Sequence, residues 1–439
     1  MEINRDKYLS KIIESKNDGL IKIITGIRRC GKSYLLFDLF FKYLRNNGIE
    51  DRNIIRFAFD NDEDVDKLDS YLKDEPTKIY VDKEKRKYIV NSKKFRLFIS
   101  EITNDGEDFY LLLDEVQLLQ DFVGTLNGLS RHKSFDIYVT GSNSRFLSND
   151  VASEFRARGE QIRINPLSFK EFYDSHNLSF EDAYSEYQYF GGLPYISTID
   201  NDEKKIDYLK EVFDQLYIKD LMDRYEISSI GSFNSLINIL SSSIGSYTNP
   251  TNIENTFKSE LKTSYHHDTI AKHIEYLKEA FLIREANRYD VKGRKYIASN
   301  SKYYFTDLGL RNIRLNFRQQ EPTHLMENII YNELVIRGYN VDIGIVEKWE
   351  KDENGKNVLK NLEVDFICNQ NNKKYYIQSA YSADDERKRI QELKPLLSIN
   401  DNFKKIVIIK DTFKPWIDDK GVYFISLRDF LLDETLMER

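Results

Sequence analysis

Along the first 140 residues the spacing of apolar positions changes period several times, and each change marks an element. Residues 6–16 carry a short amphipathic helical pattern. Residues 20–25 form an apolar run rich in β-branched side chains and closed by Gly26, as a strand would be. Between 33 and 46, Leu35, Leu36, Leu39, Phe40, Tyr43 and Leu44 recur at helical spacing. Residues 53–59, 109–113 and 134–140 read as further strands, and 95–104 as a helix. Strands with continuous apolar cores, separated by helices, predict a parallel sheet covered on both faces.

The pattern shifts after Pro166. Residues 168–230 are helical in spacing, broken by the turn Gly191-Gly192-Leu193-Pro194. Residues 231–310 read as helices followed by a β-hairpin. From 321 the order is helix, strand, strand, helix, strand, with the polar stretch 351–361 as a hairpin tip. No fixed-period repeat or low-complexity linker interrupts the chain. The expected division is a core at 1–170, a helical lid or connector at 171–230, a winged helix-turn-helix segment at 231–315 and a small α/β domain at 316–439.

Composition narrows this picture. A chain of 439 residues is too long for one core. Lys and Arg total 65 against 72 Asp and Glu, a formal charge of −7, so nucleic-acid binding would need a local basic patch. Cys30 and Cys368 give no disulfide framework. The amino terminus has no apolar leader, and no run approaches the roughly 18 apolar residues of a membrane helix. A cytoplasmic location with no membrane partner is expected.

The candidate chemistry begins where the strand at 20–25 runs into Gly26-Ile27-Arg28-Arg29-Cys30-Gly31-Lys32-Ser33, followed by Tyr34 and a helix. Two glycines at that spacing permit a loop whose backbone N–H groups surround phosphates. Lys32 is placed to reach the β- and γ-phosphates and Ser33 to offer its hydroxyl to Mg2+, while the helix aims its positive end at the phosphates. These nine residues are the candidate ATP-binding set. A second apolar strand ends in Asp114 and Glu115, with Asp114 as the Mg2+ ligand and Glu115 as the group that polarises attacking water. By itself, a strand closing in a polar turn would look the same. Tyr138-Val139-Thr140-Gly141-Ser142-Asn143 offers a γ-phosphate sensor, Asn143 first, then Thr140 and Ser142; a capping turn would read alike. The expected cofactors are ATP and Mg2+, and the expected reaction is hydrolysis to ADP and phosphate.

GIRRCGKS, LLLDEVQ, VTGSNSRFLS, NPLSFKEF and GGLPYI, in that order, resemble the AAA-type P-loop ATPases of bacteria and archaea that carry a C-terminal domain of unknown function, in the archaeal-type ATPase branch. The resemblance covers most of the chain. It implies an α/β fold with a P-loop NTPase parallel sheet, then a winged-helix segment and a restriction-endonuclease-like end. Where the family commonly has Gly-Arg before Pro-Leu-Ser-Phe, this chain has Ala157 and Arg158. Arg158 is therefore the candidate arginine finger, in cis or from a neighbouring subunit of a homo-oligomer, with Arg156 and Arg163 as rivals; a solvated basic turn is the plainer reading. Arg28 and Arg29 match the family's loop as well.

Residues 251–258 and 267–279 read as two helices joined by a turn, with strands at 283–286 and 303–306 around the basic tip 291–295. Lys272, His273, Lys278, Arg294 and Lys295 are candidate contacts to DNA phosphates. Glu275, Glu279, Glu285 and Asp290 dilute that field, so a packing module is the competing reading. His266, His267 and His273 do not suggest a metal set. Further on, Glu327 and Glu333, then Glu363 and Asp365, then Gln378-Ser379-Ala380 resemble the order of the restriction-endonuclease-like fold, whose active members hold Mg2+ on an Asp and a Glu-x-Lys. Gln378 and Ala380 replace the acid and the lysine, so an inactive relative that binds DNA or a protein client is expected. The leading expectation is an ATPase coupled to DNA or protein engagement. The alternatives are a nucleotide-gated signalling switch that oligomerises without DNA, and an ATP-dependent nuclease.

Overall fold

A computed structural model describes residues 3–82, 87–104, 106–141, 155, 158–351, 355–381 and 386–439. The chain divides into two compact units, Ile3–Asn165 and Pro166–Arg439. The first holds strands β1 (Ile21–Gly26), β2 (Ile54–Ala58), β3 (Lys78–Asp82), β4 (Lys87–Val90), β5 (Phe109–Asp114), β6 (Phe135–Thr140) and β7 (Gly159–Ile164). Five of them form one sheet in the order β2-β5-β6-β1-β7, parallel throughout. Every position of β1 and β5 is buried, as cover on both faces requires. Phe57, Phe95, Leu111, Leu113 and Val139 belong to the core on one face.

Two features of this unit differ from the expected pattern. β7 was not anticipated, because Gly-Glu-Gln-Ile-Arg-Ile alternates polar and apolar residues and lies at the sheet edge, with Gln161 and Arg163 exposed. The antiparallel hairpin β3–β4 was also missed; its strands are short and half-exposed. Because the sheet is parallel, the C-terminal ends of β1, β2, β5, β6 and β7 share one edge. That edge is where open α/β sheets bind ligands.

The second unit begins with helices Phe169–Asp174, Phe180–Phe190 and Asp202–Glu211 and continues through Ile230–Ser242, Pro250–Ser259 and His267–Glu279. Its strands are β8 (Tyr247–Thr248), β9 (Ile283–Asp290), β10 (Lys295–Phe305), β11 (Asn340–Lys351), β12 (Asn357–Gln370), β13 (Lys373–Ala380), β14 (Lys404–Ile409), β15 (Trp416–Ile417) and β16 (Val422–Ser426). All nine form one mixed sheet, ordered β15-β16-β14-β13-β12-β11-β9-β10-β8. The hairpin β9–β10 is joined to the later strands by parallel pairing of Arg288 with Ile343 and Asp290 with Ile345. The order after 321 is helix, three strands, helix, then strands, one strand more than expected before the second helix. Much of the supposed hairpin tip is strand as well, since Asn357–Asn361 pair with Lys351–Glu347.

Two of the sequence motifs prove to be structural ties. Ser168 and Glu171 make a reciprocal capping box at the start of Phe169–Asp174. The Phe169 N–H also donates to buried Glu333 at 2.6 Å, so Glu333 holds a helix end. In the glycine pair, the Gly192 N–H donates to Asp307 at 2.7 Å, and Leu167 N–H donates to the Gly192 carbonyl at 2.8 Å. Gly191 has φ +80°, and a Cβ there would lie 2.3 Å from Asp307 Oδ1. Only glycine fits that backbone against the carboxylate.

Candidate nucleotide site

β1 delivers the chain into the loop at the ligand-binding edge. Gly26 has φ +150°, and a Cβ on it would stand 2.2 Å from the Ile164 carbonyl oxygen. Arg29 and Gly31 also have positive φ, +65° and +92°. These backbone conformations curve the loop back towards the helix that starts at Lys32. Ile27 and Cys30 are each 1% exposed, with the Cys30 thiol 3.8 Å from the Ile164 carbonyl. Their side chains anchor the loop, so only their backbone is available to a ligand. Arg28 is half-buried, Arg29 is exposed, and Tyr34 is half-buried at the start of the helix. Gly26→Ala is expected to destabilise the unit by roughly 1–3 kcal/mol and to weaken ATP binding. Equilibrium unfolding together with a nucleotide titration checks both; wild-type values would contradict the clash.

Four polar side chains converge beside this loop. The Lys32 ammonium donates to the carbonyls of Gly26 and Ile27, both at 3.1 Å. Asp114 is buried at the end of β5. Burial pushes its carboxyl above the ordinary range, Glu115 adds to that, and hydrogen bonds from the Ser33 and Thr140 hydroxyls pull it back. Ser33 and Asp114, far apart in sequence, are thus joined directly. Glu115 follows with φ +52° and accepts a hydrogen bond from the Gln117 amide.

The remaining expected residues separate. The Thr140 hydroxyl donates to Asp114 and is fully buried, so it orients the acid and does not face a phosphate. Asn143, Ser142, Arg156 and Ala157 lie outside the described residues. Arg158 is exposed, and its carbonyl accepts the Ile21 N–H at 2.8 Å, which puts it at the opposite end of β1 from the loop. Five strand steps of about 3.3 Å separate those ends by roughly 16 Å, farther than an arginine side chain reaches. Its expected role in cis is therefore corrected; only contact from a neighbouring subunit is compatible with this position. Arg163, paired with Thr25, is the arginine of β7 at the correct edge.

Asp60 was missed. Ala58 pairs with Asp114, and the Phe59 N–H donates to the Asp114 carbonyl at 3.0 Å, so Asp60 follows β2 out at the same edge. Burial first, then Asp114 and Glu115, raise its carboxyl above the usual range. No sequence motif marks it; only pairing of β2 with β5 brings it to the acids.

In the segment read as a winged helix, the expected cations part company. His273 is buried, its ring against Phe233 and Tyr265, and burial lowers its pKa. Lys278 is tied to Glu275 at 2.7 Å and Glu285 at 2.6 Å. Neither is offered to a DNA backbone, which corrects both assignments. Lys272, Arg294 and Lys295 are exposed.

The strand order, the glycine loop and the Lys32–Ser33–Asp114–Glu115 group define the class: a P-loop NTPase of AAA type. A family profile described as AAA domain matches residues 18–173, and one described as domain of unknown function (DUF8612) matches 181–321. A Haemophilus influenzae protein described as uncharacterized is 31% identical over 436 residues, covering 98% of both chains. A Methanocaldococcus jannaschii protein, also described as uncharacterized, is 30% identical over 446 residues, covering 95% of this chain and 88% of that one. The chain belongs to one family with these two proteins, and its own residues 18–173 carry the AAA domain. Among solved structures it is similar to the Aeropyrum pernix ORC2 protein, with 11% identity, TM-score 0.35, and 71% of this chain and 93% of that chain covered. It is also similar to Cdc6p of Pyrobaculum aerophilum, with 12% identity, TM-score 0.26, and coverage of 74% and 94%. Among the described residues no helix is long and apolar enough to cross a membrane.

Proposed function

We propose that the chain is a cytoplasmic, Mg2+-dependent ATPase that couples ATP binding and hydrolysis to engagement of a protein client or DNA. The observation that carries this reading is the hydrogen bond between Ser33 and buried Asp114 beside Lys32. It joins the two expected metal ligands at the mouth of a loop built for phosphates. Gly26 to Ser33 bind the phosphates through backbone N–H groups, with Lys32 as the point charge. Ser33 and Asp114 would hold Mg2+, directly or through water, and the ion would supply charge neutralisation for a phosphoryl group in transfer. Glu115 orients and polarises the water that attacks the γ-phosphorus, and Asn143 and a neighbouring subunit's Arg158 are the proposed γ-phosphate contacts. Phosphate release from ATP with and without Mg2+ tests this; absence of Mg2+-dependent turnover would count against it.

We further propose that 171–230 acts as a lid or connector, 231–315 as a winged helix and 316–439 as a restriction-endonuclease-like domain. DNA engagement is supported by exposed Lys272, Arg294 and Lys295 and opposed by Asp268 and Glu275, which share the exposed face of His267–Glu279. If DNA is the partner, few phosphate contacts are available. With three contacts, duplex affinity should fall by roughly 40-fold between about 50 and 200 mM salt. No binding at the lower salt would leave the protein client, or a switch that oligomerises without DNA.

A further inference from the structure

Within Pro166–Arg439 lies a largely buried group of ionisable side chains, with Glu363 half-buried, that the proposed ATPase does not use. Glu327 comes from helix Pro322–Ile336, Glu363 and Asp365 from β12, and Gln378 and Ser379 from β13. These are the positions that resemble a nuclease metal site. A lysine is present after all, but on another strand. Lys302 of β10 is 4% exposed, and its ammonium sits 2.9 Å from Glu327 Oε1 and 2.6 Å from Glu363 Oε1. A register shift in β10 between Ile297 and Lys302 precedes it, so sequence spacing along β12 and β13 could not reveal it.

We infer that Lys302 is a built-in substitute for a divalent metal: its ammonium neutralises the acids that would otherwise hold the ion, and the cluster takes no metal. Carboxylates buried together need a compensating cation, and here the chain supplies one covalently. The remaining acceptor capacity is used internally. Asp365 Oδ1 receives the Gln378 amide at 2.9 Å. Asp365 Oδ2 receives the Ser379 N–H at 2.7 Å and its hydroxyl at 2.8 Å. Glu327 Oε1 also receives the Tyr304 hydroxyl at 2.6 Å. Asp365 is thus held by β13, while Glu327 and Glu363 share Lys302. Among the described residues, three metal-type ligand atoms come within 4.8 Å of one another only at exposed His266, His267 and Asp268.

The test is Mn2+ binding to the nucleotide-free full chain, followed by electron paramagnetic resonance, which keeps the metal of the ATP complex out of the measurement. Wild type and Asp365→Asn should bind Mn2+ alike. A wild-type site tighter than about 1 mM that vanishes in Asp365→Asn overturns the inference, and so does Mg2+-dependent plasmid cleavage lost in that variant. Lys302→Ala, where it folds, should gain one Mn2+ that the Lys302→Ala/Asp365→Asn double variant loses again. Folded Lys302→Ala with no such gain also overturns it. If Lys302→Ala does not fold, the comparison of wild type with Asp365→Asn decides alone.

Discussion

Lys32→Ala is expected to reduce ATP hydrolysis by at least about 10²-fold and to weaken ATP binding, whereas Glu115→Gln should keep binding while losing turnover to a similar extent. The difference follows from position. Lys32 is buried under the loop it would help close around phosphate, donating to Gly26 and Ile27. Replacing it removes a buried positive charge at the loop mouth and leaves those carbonyls without that donor. Glu115 is half-buried at the end of β5, past the Ser33–Asp114 pair. An amide of the same shape there keeps the ground-state contacts and removes the charge proposed to polarise water. Equilibrium binding of a fluorescent ATP analogue, read beside phosphate release, separates the two outcomes. If Lys32→Ala binds ATP as wild type does, the site is misassigned.

Thermal stability is expected to fall as pH rises from about 5.5 to 8.5, by roughly 5–10 °C in the midpoint. Three fully buried carboxyls in Pro166–Arg439 set the direction. Burial raises Asp307 to about 6, against hydrogen bonds from the N–H groups of Gly192 and Leu310. It raises Glu333 to about 7, against Arg337 and the Phe169 N–H, and Asp365 to about 8. An acid whose folded pKa lies above its unfolded one binds more protons in the folded state. Its favourable contribution is complete below the ordinary carboxyl range and is lost as pH climbs through the folded value. The window is therefore about pH 4 to 8, not the acid limb. Each pKa unit is worth about 1.4 kcal/mol, so Asp307 alone sets a scale on the order of 3 kcal/mol. Carboxyls shifted the other way, such as Glu285 held low by Lys278 against its own burial, act below that window. Asp307→Asn should flatten the profile only at its start, below about pH 6, and the slope is the readout because the substitution also disturbs the Gly192 contact. A profile flat or rising from 5.5 to 8.5 would sink this assignment.

The central strands were legible because burial on both faces leaves little room for polar residues, so β1, β5 and β6 are mostly apolar runs; two charged exceptions, Lys22 of β1 and Asp136 of β6, are buried as a pair at 2.6 Å. The edge strand β7 and the hairpin β3–β4 do not, since each keeps one side in water. The loop Gly26–Ser33 and the acids Asp114 and Glu115 were legible for a different reason. Phosphate binding needs particular residue types at particular local spacings, and a strand–loop–helix segment encodes those contiguously. The GGLPYI motif was visible as a pattern, while its cause was not; Asp307, more than a hundred residues later, is what excludes a side chain at Gly191.

By itself, the sequence determined the class of nucleotide site, its phosphate-binding loop and the helical and strand character of most of the chain, all properties of neighbouring residues. Only the tertiary structure decided which distant groups share a place. Strand pairing put Arg158 at the wrong end of β1, brought Asp60 to the acids of β5 and committed Thr140 to Asp114. Packing withdrew His273 from the surface, and the nine-stranded sheet carried Lys302 into the acids of β12. The reason is common to all five. Local spacing sets which face or end of an element a residue occupies, but strand order and register set what it meets there, and these are fixed by the burial of the whole unit.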